Sequence, residues 1–585
     1  RRIDADFGFA GEIPPVGPPS GQSNNWAVAG SRTTSGAPLL ANDAHLRPSQ
    51  PVVFYEIHLR GSGYEVAGAT IPGFPGVLIG HNARIAWGVT VAFADTQDLI
   101  MQRVDPATPF RYEDPTGPRE MARRDESIRV AGRRAPVEET VRLTDQGPIL
   151  TPIRPGDDHY PLALRSTVLR PAHQMRALLA LNRAGTWDAF RAALADWASP
   201  TLNFVYADVD GNIGYQLAGW IPRRRAGSQN LLPAAGWSLE DAWEGLLPFD
   251  ELPSELNPPG GICATANNQV TPPDDALAIS HEWTAPFRHD RVREVLSGHP
   301  AVTRGVSREL QTDTVSGVAR DLIGLLEGLD LGSGPEAALD RLRAWDGDLR
   351  RRSSAAALYA VFRHHLILHW LAAPVPAHLR DQYLGRGVHP VLNPVNTFHV
   401  QFGAQILDRL RAARAAGWPA AAVETIRRSL GDTIAYLAER QGGDPDGWEW
   451  GRLHTVTFSH TLGDKPILRR LFNVGPSPID GDSETVLQTG IDHWAPFAAS
   501  GWSPSYRLIV DLGNFDRTLA VLPTGQSGHP FSRHYRDQHD LFLSGRYHPC
   551  PFSLEAVEKA AVARLDLVPP LETGVRTSRT GGGGP

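Results

Sequence analysis

Cysteine is almost missing from this chain: Cys263 and Cys550 are the only two among 585 residues. They allow at most one bridge, so no disulfide framework holds the fold and the redox compartment stays open. Lysine is as rare, with Lys465 and Lys559 standing against 55 arginines, a codon-level bias without functional weight. No apolar run approaches the roughly 18 residues that a membrane-spanning helix needs, which argues against one. A large excess of one charge is missing too. Sixty-four acidic against 57 basic residues give a net charge of −7, which does nothing to draw the chain to nucleic acid or an anionic membrane. No segment of 20–50 residues repeats. What is present is a core-forming composition, 41% hydrophobic and 21% charged, the signature of a globular protein. At about 150 residues per domain the length suggests three or four units. Glycine (57) and proline (49) are plentiful and favour strands and turns over long helices.

Residues 1–22 close on Ile13-Pro-Pro-Val-Gly-Pro-Pro-Ser-Gly-Gln22, too broken by proline and glycine for a helix or central strand, and read as an extended linker. From Trp26 the text turns strand-like, as in Val52–Leu59 and Ile85–Val91, where aromatic and β-branched residues cluster. Asn203–Gln216 reads as a hairpin turning at Asp210-Gly211. Between about 305 and 447 apolar residues recur at three-four spacing, in Ala337–Trp345, Ala355–Phe362 and Ala421–Leu430, which predicts amphipathic helices. Strand signals return over 448–572, and 573–585 is a small, polar, disorder-prone tail. The expected organisation is therefore a core spanning 23–304 and 448–572 with a helical insertion at 305–447. In the helical stretch His364, His365 and His369 have i, i+4 spacing but lack the intervening Glu of a metal motif, so they read as a helix face.

Chemistry concentrates at the end of the linker. Ser23-Asn24-Asn25 alone is an ordinary turn or cap, but here a serine sits where a flexible segment meets a core strand. A cut before it would place a new amino terminus on a rigid element. A serine hydroxyl is a poor nucleophile unless a base takes its proton. A free α-amine, with a pKa of about 7.7–8.0, is such a base, whereas an amide nitrogen is not, because its lone pair is delocalised.

Ser23-Asn-Asn-Trp-Ala-Val28, Ser35–Leu46, Gly80–Val91, Trp448–His460, Pro523–Gly528 and Ser532–Tyr535 together resemble the penicillin acylase family of N-terminal-nucleophile hydrolases, from Ser23 to about Val568. The resemblance implies an α+β fold, an αββα sandwich of two antiparallel sheets. It also implies an enzyme that hydrolyses the linear amide of small N-acylated molecules after autocatalytic cleavage before Ser23, with no organic cofactor. In this register Ser23 supplies the nucleophile and base. The Val91 N–H and the Asn267 side chain donate to the oxyanion, with Asn268 as the alternative. His45 orients the Ser23 terminus, and Arg291 holds the asparagine. Without the resemblance, His45 is a satisfied polar residue and Arg291 an ordinary ion-pair partner. Acyl-pocket positions fall on Leu46, Ile79 and Val89, all aliphatic, which suggests medium or long aliphatic acyl groups, as in N-acyl homoserine lactones. Asp95, Gln97 and Asp98 fall where the family binds a structural calcium, with Asp274 or Asp275 as a further ligand. The chain corresponds to the β subunit and the end of the spacer. The partner expected is an α subunit encoded upstream, and the location expected is periplasmic or secreted. Two other readings stand beside this one: a β-lactam acylase, and an uncut, inactive fragment acting as a binding scaffold.

Overall fold

The first strand, β1 (Gln22–Val28), is buried along its whole length yet divides its side chains between two cores. Ala27 joins Leu40 and Ala44 of β2 (Leu39–Leu46) on one face, while Trp26 and Val28 join Leu39 and Ala41 on the other. That division is the two-residue period of a strand. A strand buried on both faces needs uncharged residues throughout, and QSNNWAV supplies them. The computed structural model describes residues 21–567, apart from 106, 152–159, 226–227, 229–230, 273–276, 333–334, 390–392, 396–397 and 494–495. The linker up to residue 20 and the tail 573–585 therefore lie outside the described residues.

After β1 and β2 the chain forms a meander of β3 (Tyr55–Gly61), β4 (Tyr64–Thr70), β5 (Ile79–Asn82) and β6 (Ile85–Val91). It then forms the hairpin β7 (Leu202–Asp208) and β8 (Ile213–Ala218), followed by β9 (Ser254–Leu256) and β10 (Ile262–Thr265). The closing strands are β11 (Ser503–Asp511), β12 (Leu519–Val521) and β13 (His548–Pro549). They assemble into a six-stranded sheet, β10-β1-β2-β11-β12-β13, and a seven-stranded sheet, β9-β8-β7-β6-β5-β4-β3. The sheets face one another across a core that includes Ala27, Leu40, Ala44, Ala86, Val205 and Leu508. The β7–β8 turn is fixed by Asp208, whose Oδ1 accepts the N–H groups of Asp210 and Asn212 at 3.0 and 2.9 Å, with Gly211 at φ +99°.

Helices cover both outer faces. On the seven-stranded sheet α1 (Gln174–Arg183) and α2 (Trp187–Ala195) bury Leu178, Leu181, Phe190 and Leu194, with Phe190 4.9 Å from the Tyr206 ring. On the six-stranded sheet α3 (Phe287–Gly298) and α4 (Arg304–Leu310) bury Val292, Leu296 and Leu310 against Trp26 and Ile509. The result is a four-layer αββα sandwich. Beyond it α5 (Ser354–Leu366), α6 (Phe402–Ala415) and α7 (Ala420–Gln441) share a core of their own around Leu358, Phe362, Ile406 and Leu430. The expectation drawn from glycine and proline fails here. α7 runs for 22 residues, because the turn formers collect between elements while Ala, Leu and Arg fill the helix. His365 and His369 of the same lobe bond Thr433 and Ser429 across the α7 contact. Cys263 and Cys550 are free.

Candidate active site

Ser23 is the second residue of β1 and 5% exposed. By the strand alternation it shares the face of Ala27, turned into the space between the sheets, while Gln22 and Asn24 face α3. β1 is flanked by β2 from Gln22 onward, but by β10 only from Asn25 onward. The first three residues of β1 thus have a strand on one side only. Ser23 Oγ donates to the Gln22 carbonyl oxygen just ahead of it, and the Ser23 N–H donates to Asn267 Oδ1 at 2.8 Å.

Asn267 is fully buried with φ +64°, a left-handed conformation that asparagine tolerates better than most residues. Its Oδ1 also accepts from Arg288 at 2.9 Å, and its Nδ2 donates to the Val91 carbonyl at 2.8 Å. Two donors on the oxygen fix which end of the amide is nitrogen. Asn268 turns back instead, its Oδ1 accepting from Ala266 N–H at 3.0 Å. Val91 ends β6. Because Ala92 N–H bonds Thr201 O at 3.1 Å in the β6–β7 ladder, the alternation of that ladder directs the Val91 N–H away from β7. The same strand is tied to the facing sheet where Val89 N–H meets Asn42 Oδ1 at 2.5 Å. Gly88 permits that approach, since a Cβ there would lie 2.6 Å from the same oxygen.

His45 sits opposite Gln22 in the β1–β2 register and is fully buried. It does not contact Ser23 directly. Its Nε2 lies 2.8 Å from Asp43 Oδ2 and its Nδ1 2.9 Å from Gln488 Oε1, and Gln488 Nε2 in turn donates to Gln22 Oε1. Asp43 and His45 were within reach of the sequence, because residues two apart share a strand face. Gln488 gave no signal, being more than 440 positions away.

The arginine at the centre is Arg288, which corrects the assignment of Arg291. Arg288 is 2% exposed. It donates to Ser23 O at 3.0 Å, Asn24 Oδ1 at 2.7 Å, Gln22 Oε1 at 2.8 Å and Asn267 Oδ1 at 2.9 Å. Arg291, on the adjoining flank of α3, is spent on Asp313 at 2.7 Å and Glu294 at 3.0 Å. Charge alone could not choose between two arginines three residues apart, whereas burial does. Burial pulls the Arg288 guanidinium down to about 9, against the opposing influence of Glu484 and Asp43. Glu484 lines a small cleft beside Gln22 together with Phe287, Arg288, His399 and Trp502. Burial pushes its carboxyl up to about 7, opposed by Arg363, whose NH2 lies 3.2 Å away.

Ile79 and Val89 belong to the main hydrophobic core, Val89 on the face it shares with Phe204, and Leu46 packs against that core half-buried. Gly21 rests on Leu46 so closely that a Cβ would fall 2.6 Å from Leu46 Cδ2.

Asp95, Gln97 and Asp98 do not make a calcium shell. Arg224 NH2 lies 3.1 Å from both Asp95 Oδ2 and Asp98 Oδ1, and its NH1 donates to the Asp95 carbonyl at 3.2 Å. Trp243 Nε1 donates to the other oxygen of Asp98, and Gln97, exposed, begins the same short strand that carries Asp98. Calcium takes six to eight oxygens, and here N–H donors occupy them. Asp274 and Asp275 lie outside the described residues. A mixed cluster of Glu56, His548 and Cys550 is a line of contacts along one imidazole ring. The carboxylate meets His548 Nε2 at 3.1 Å and the thiol faces Nδ1 at 3.8 Å, on opposite edges of one ring.

Comparison with known proteins places the chain in a family. Residues 5–559 match the family model described as penicillin amidase. An acyl-homoserine lactone acylase from Pseudomonas aeruginosa is 30% identical, over 94% of this chain and 69% of that protein. A penicillin acylase 2 proenzyme from Pseudomonas sp. is 31% identical over the same shares. Penicillin G acylase from Escherichia coli is 28% identical over 76% of this chain and 55% of its own length. Among solved structures, a thermostable penicillin G acylase from Alcaligenes faecalis superposes with a TM-score of 0.70 at 23% identity, covering 94% of this chain and 100% of that one. The chain belongs to the penicillin amidase family and is an acylase that hydrolyses carbon–nitrogen amide bonds other than peptide bonds.

Proposed function

We propose that this acylase works through an amino-terminal Ser23, freed by its own cleavage of the Gln22–Ser23 bond, and that it prefers medium to long aliphatic acyl groups. The observation that carries the reading is the uncut junction itself. The Ser23 hydroxyl lies against the carbonyl it would attack, and the nitrogen that would leave is held by Asn267 at 2.8 Å. Attack of Oγ on the Gln22 carbonyl carbon moves the acyl group from nitrogen to oxygen. Water then hydrolyses the ester, leaving a Gln22 carboxylate and a free Ser23 amine. That amine keeps the place of the present nitrogen, beside the Arg288 cation. A nearby positive charge disfavours its protonated form, which suits a general base.

In turnover the Ser23 hydroxyl attacks the substrate amide while the α-amine takes its proton. The oxyanion is met by the Val91 N–H and by the Asn267 N–H that Val91 O leaves unused. The proton passes to the departing amine, and water releases the acid by the same route. Leaving of the segment that carries Gly21 uncovers Leu46, which with Ile79 and Val89 offers an aliphatic wall. Each methylene buried there contributes about 0.8 kcal/mol. An upstream α subunit as partner and a periplasmic or secreted location complete the reading, both by resemblance in sequence.

Ser23→Ala, assayed by intact mass and amide hydrolysis, should leave the chain uncut and inactive. Processed, active Ser23→Ala protein refutes the assignment, and wild-type protein that stays uncut favours the binding-scaffold reading. A p-nitroanilide series from acetyl to dodecanoyl should peak at an aliphatic chain, whereas a maximum at phenylacetyl points to a β-lactam acylase.

A further inference from the structure

We propose that Arg224 is the built-in cation of the corner where the resemblance placed calcium, and that it positions the oxyanion strand from there. The side chain is 4% exposed, Asp98 2% and Asp95 26%. One guanidinium bridges both carboxylates and also takes the Asp95 carbonyl, three oxygens that a metal would otherwise claim. Arg165, the cross-strand partner of Asp98, adds a second positive charge over the ring of Trp243 at 5.6 Å. With Glu282 beside Asp95 and Arg170 beside Arg165, three carboxylates stand against three guanidinium groups and already balance. A divalent ion entering this corner would be uncompensated, and it would first have to displace a planar fork that meets both carboxylates.

The corner is coupled to the site through the exit of β6. Directly after Val91, the Ala92 carbonyl accepts from Trp283 Nε1 at 3.0 Å and Phe93 O from Ser280 Oγ. Asp95 N–H then bonds Ile279 O at 2.8 Å. The segment 279–284 that receives these bonds continues to Thr284, whose N–H bonds the Asn267 carbonyl at 3.0 Å, and on to Arg288. Phe93 adopts φ +51°, a conformation that a bulky residue keeps only where its surroundings impose it. Arg224 thus pins Asp95 and Asp98 at one end of a short span whose other end carries the Val91 N–H. It touches no reacting atom and is a positioning residue.

The effect on turnover rests on the acylase reading, while the effect on calcium response does not, so two readouts separate them. The processed enzyme, produced from its full-length gene, is measured for Tm and for kcat and KM in EDTA and in millimolar calcium. Wild type should give the same Tm and kcat in both, and a wild type that loses either in EDTA and regains it with calcium overturns the proposal. Arg224→Ser leaves two facing carboxylates. Its kcat should fall by about tenfold to a hundredfold with KM little changed, as for a donor displaced by a fraction of an ångström. Its Tm should fall, and calcium but not magnesium should restore both. Retained Tm and kcat, or absence of calcium rescue, overturns the proposal. If Arg224→Ser does not fold, Arg224→Lys keeps the charge and should remain indifferent to calcium, so a calcium-responsive Lys variant also refutes it. The calcium pattern in Tm without amide hydrolysis by any form would instead overturn the acylase mechanism and leave the Arg224 clamp standing.

Discussion

Replacing Asn267 by Asp separates the two jobs that its side chain performs. The Oδ1 end accepts from Ser23 N and Arg288, and the Nδ2 end donates to Val91 O with one N–H left over. Aspartate keeps the acceptor, fits the same space, and tolerates φ +64° as few other residues do. It also faces a guanidinium 2.9 Å away, so the fold should persist. What disappears is the spare donor together with the bond to Val91 O, which then meets a carboxylate oxygen instead of an N–H; loss of one oxyanion donor alone costs about 2.7–4 kcal/mol, or roughly 10²–10³ in kcat. A second effect follows from charge. A carboxylate beside the Ser23 amine favours its protonated form and should raise its pKa by about one to three units, moving the acid limb of kcat/KM to more alkaline pH. Because the proposed self-cleavage would pass through the same kind of oxyanion, the variant is best produced with the chain already starting at Ser23 and co-expressed with its upstream segment. Steady-state kinetics on an acyl p-nitroanilide across pH then read both effects. A kcat within tenfold of wild type, with an unmoved acid limb, refutes the role given to Asn267.

Three further perturbations have defined outcomes. Arg288→Lys replaces a fork serving five buried acceptors, Thr284 Oγ1 at 3.4 Å being the fifth, by an ammonium with three donors. At about 1.5–3 kcal/mol for each bond to a charged group, Tm and kcat should both fall, and an unchanged kcat refutes the central place of Arg288. Glu484 has a pKa of about 7 in the fold against an ordinary 4.5, so its protonated form is the stabilising one. That contribution is complete below pH 4.5 and is lost as pH rises through 7. The Tm of wild type should therefore decline over this window relative to Glu484→Gln, and parallel curves refute the shift. Gly88→Ala sets a methyl 2.6 Å from Asn42 Oδ1 and should cost about 1–3 kcal/mol as overpacking between the sheets, read by thermal unfolding; an unchanged Tm refutes the close approach.

Much of this arrangement is legible along the chain because it is local. Ser23 announces itself by standing where a proline-broken linker meets a strand, and the Asp210-Gly211 turn by residues suited to positive φ. The stretches beginning near Ala337, Ala355 and Ala421 carry their three-four period openly and run as helices. The parts that escape are those whose partners are distant. Arg288 and Arg291 occupy one helix and carry one charge, and only the packing of α3 on β1 decides which is buried. Asp95 and Asp98 look like cation ligands in the register of the resemblance, because the guanidinium that satisfies them arrives from Arg224, more than a hundred positions later. Gln488, which links His45 to Gln22, belongs to a loop without regular structure and has no pattern to betray it.

The lopsided flanking of β1 has a mechanical meaning. From Asn25 onward the strand is clamped from left and right, so the proposed cut after Gln22 would free no slack and would leave Ser23 where the sheet puts it. Over its first three residues one flank is bare of any neighbouring strand. There the side chains of Asn267 and Arg288 stand in for a strand, so a chain end formed at Ser23 would be anchored from behind by the sheet and met alongside by side chains that alone decide what borders the hydroxyl.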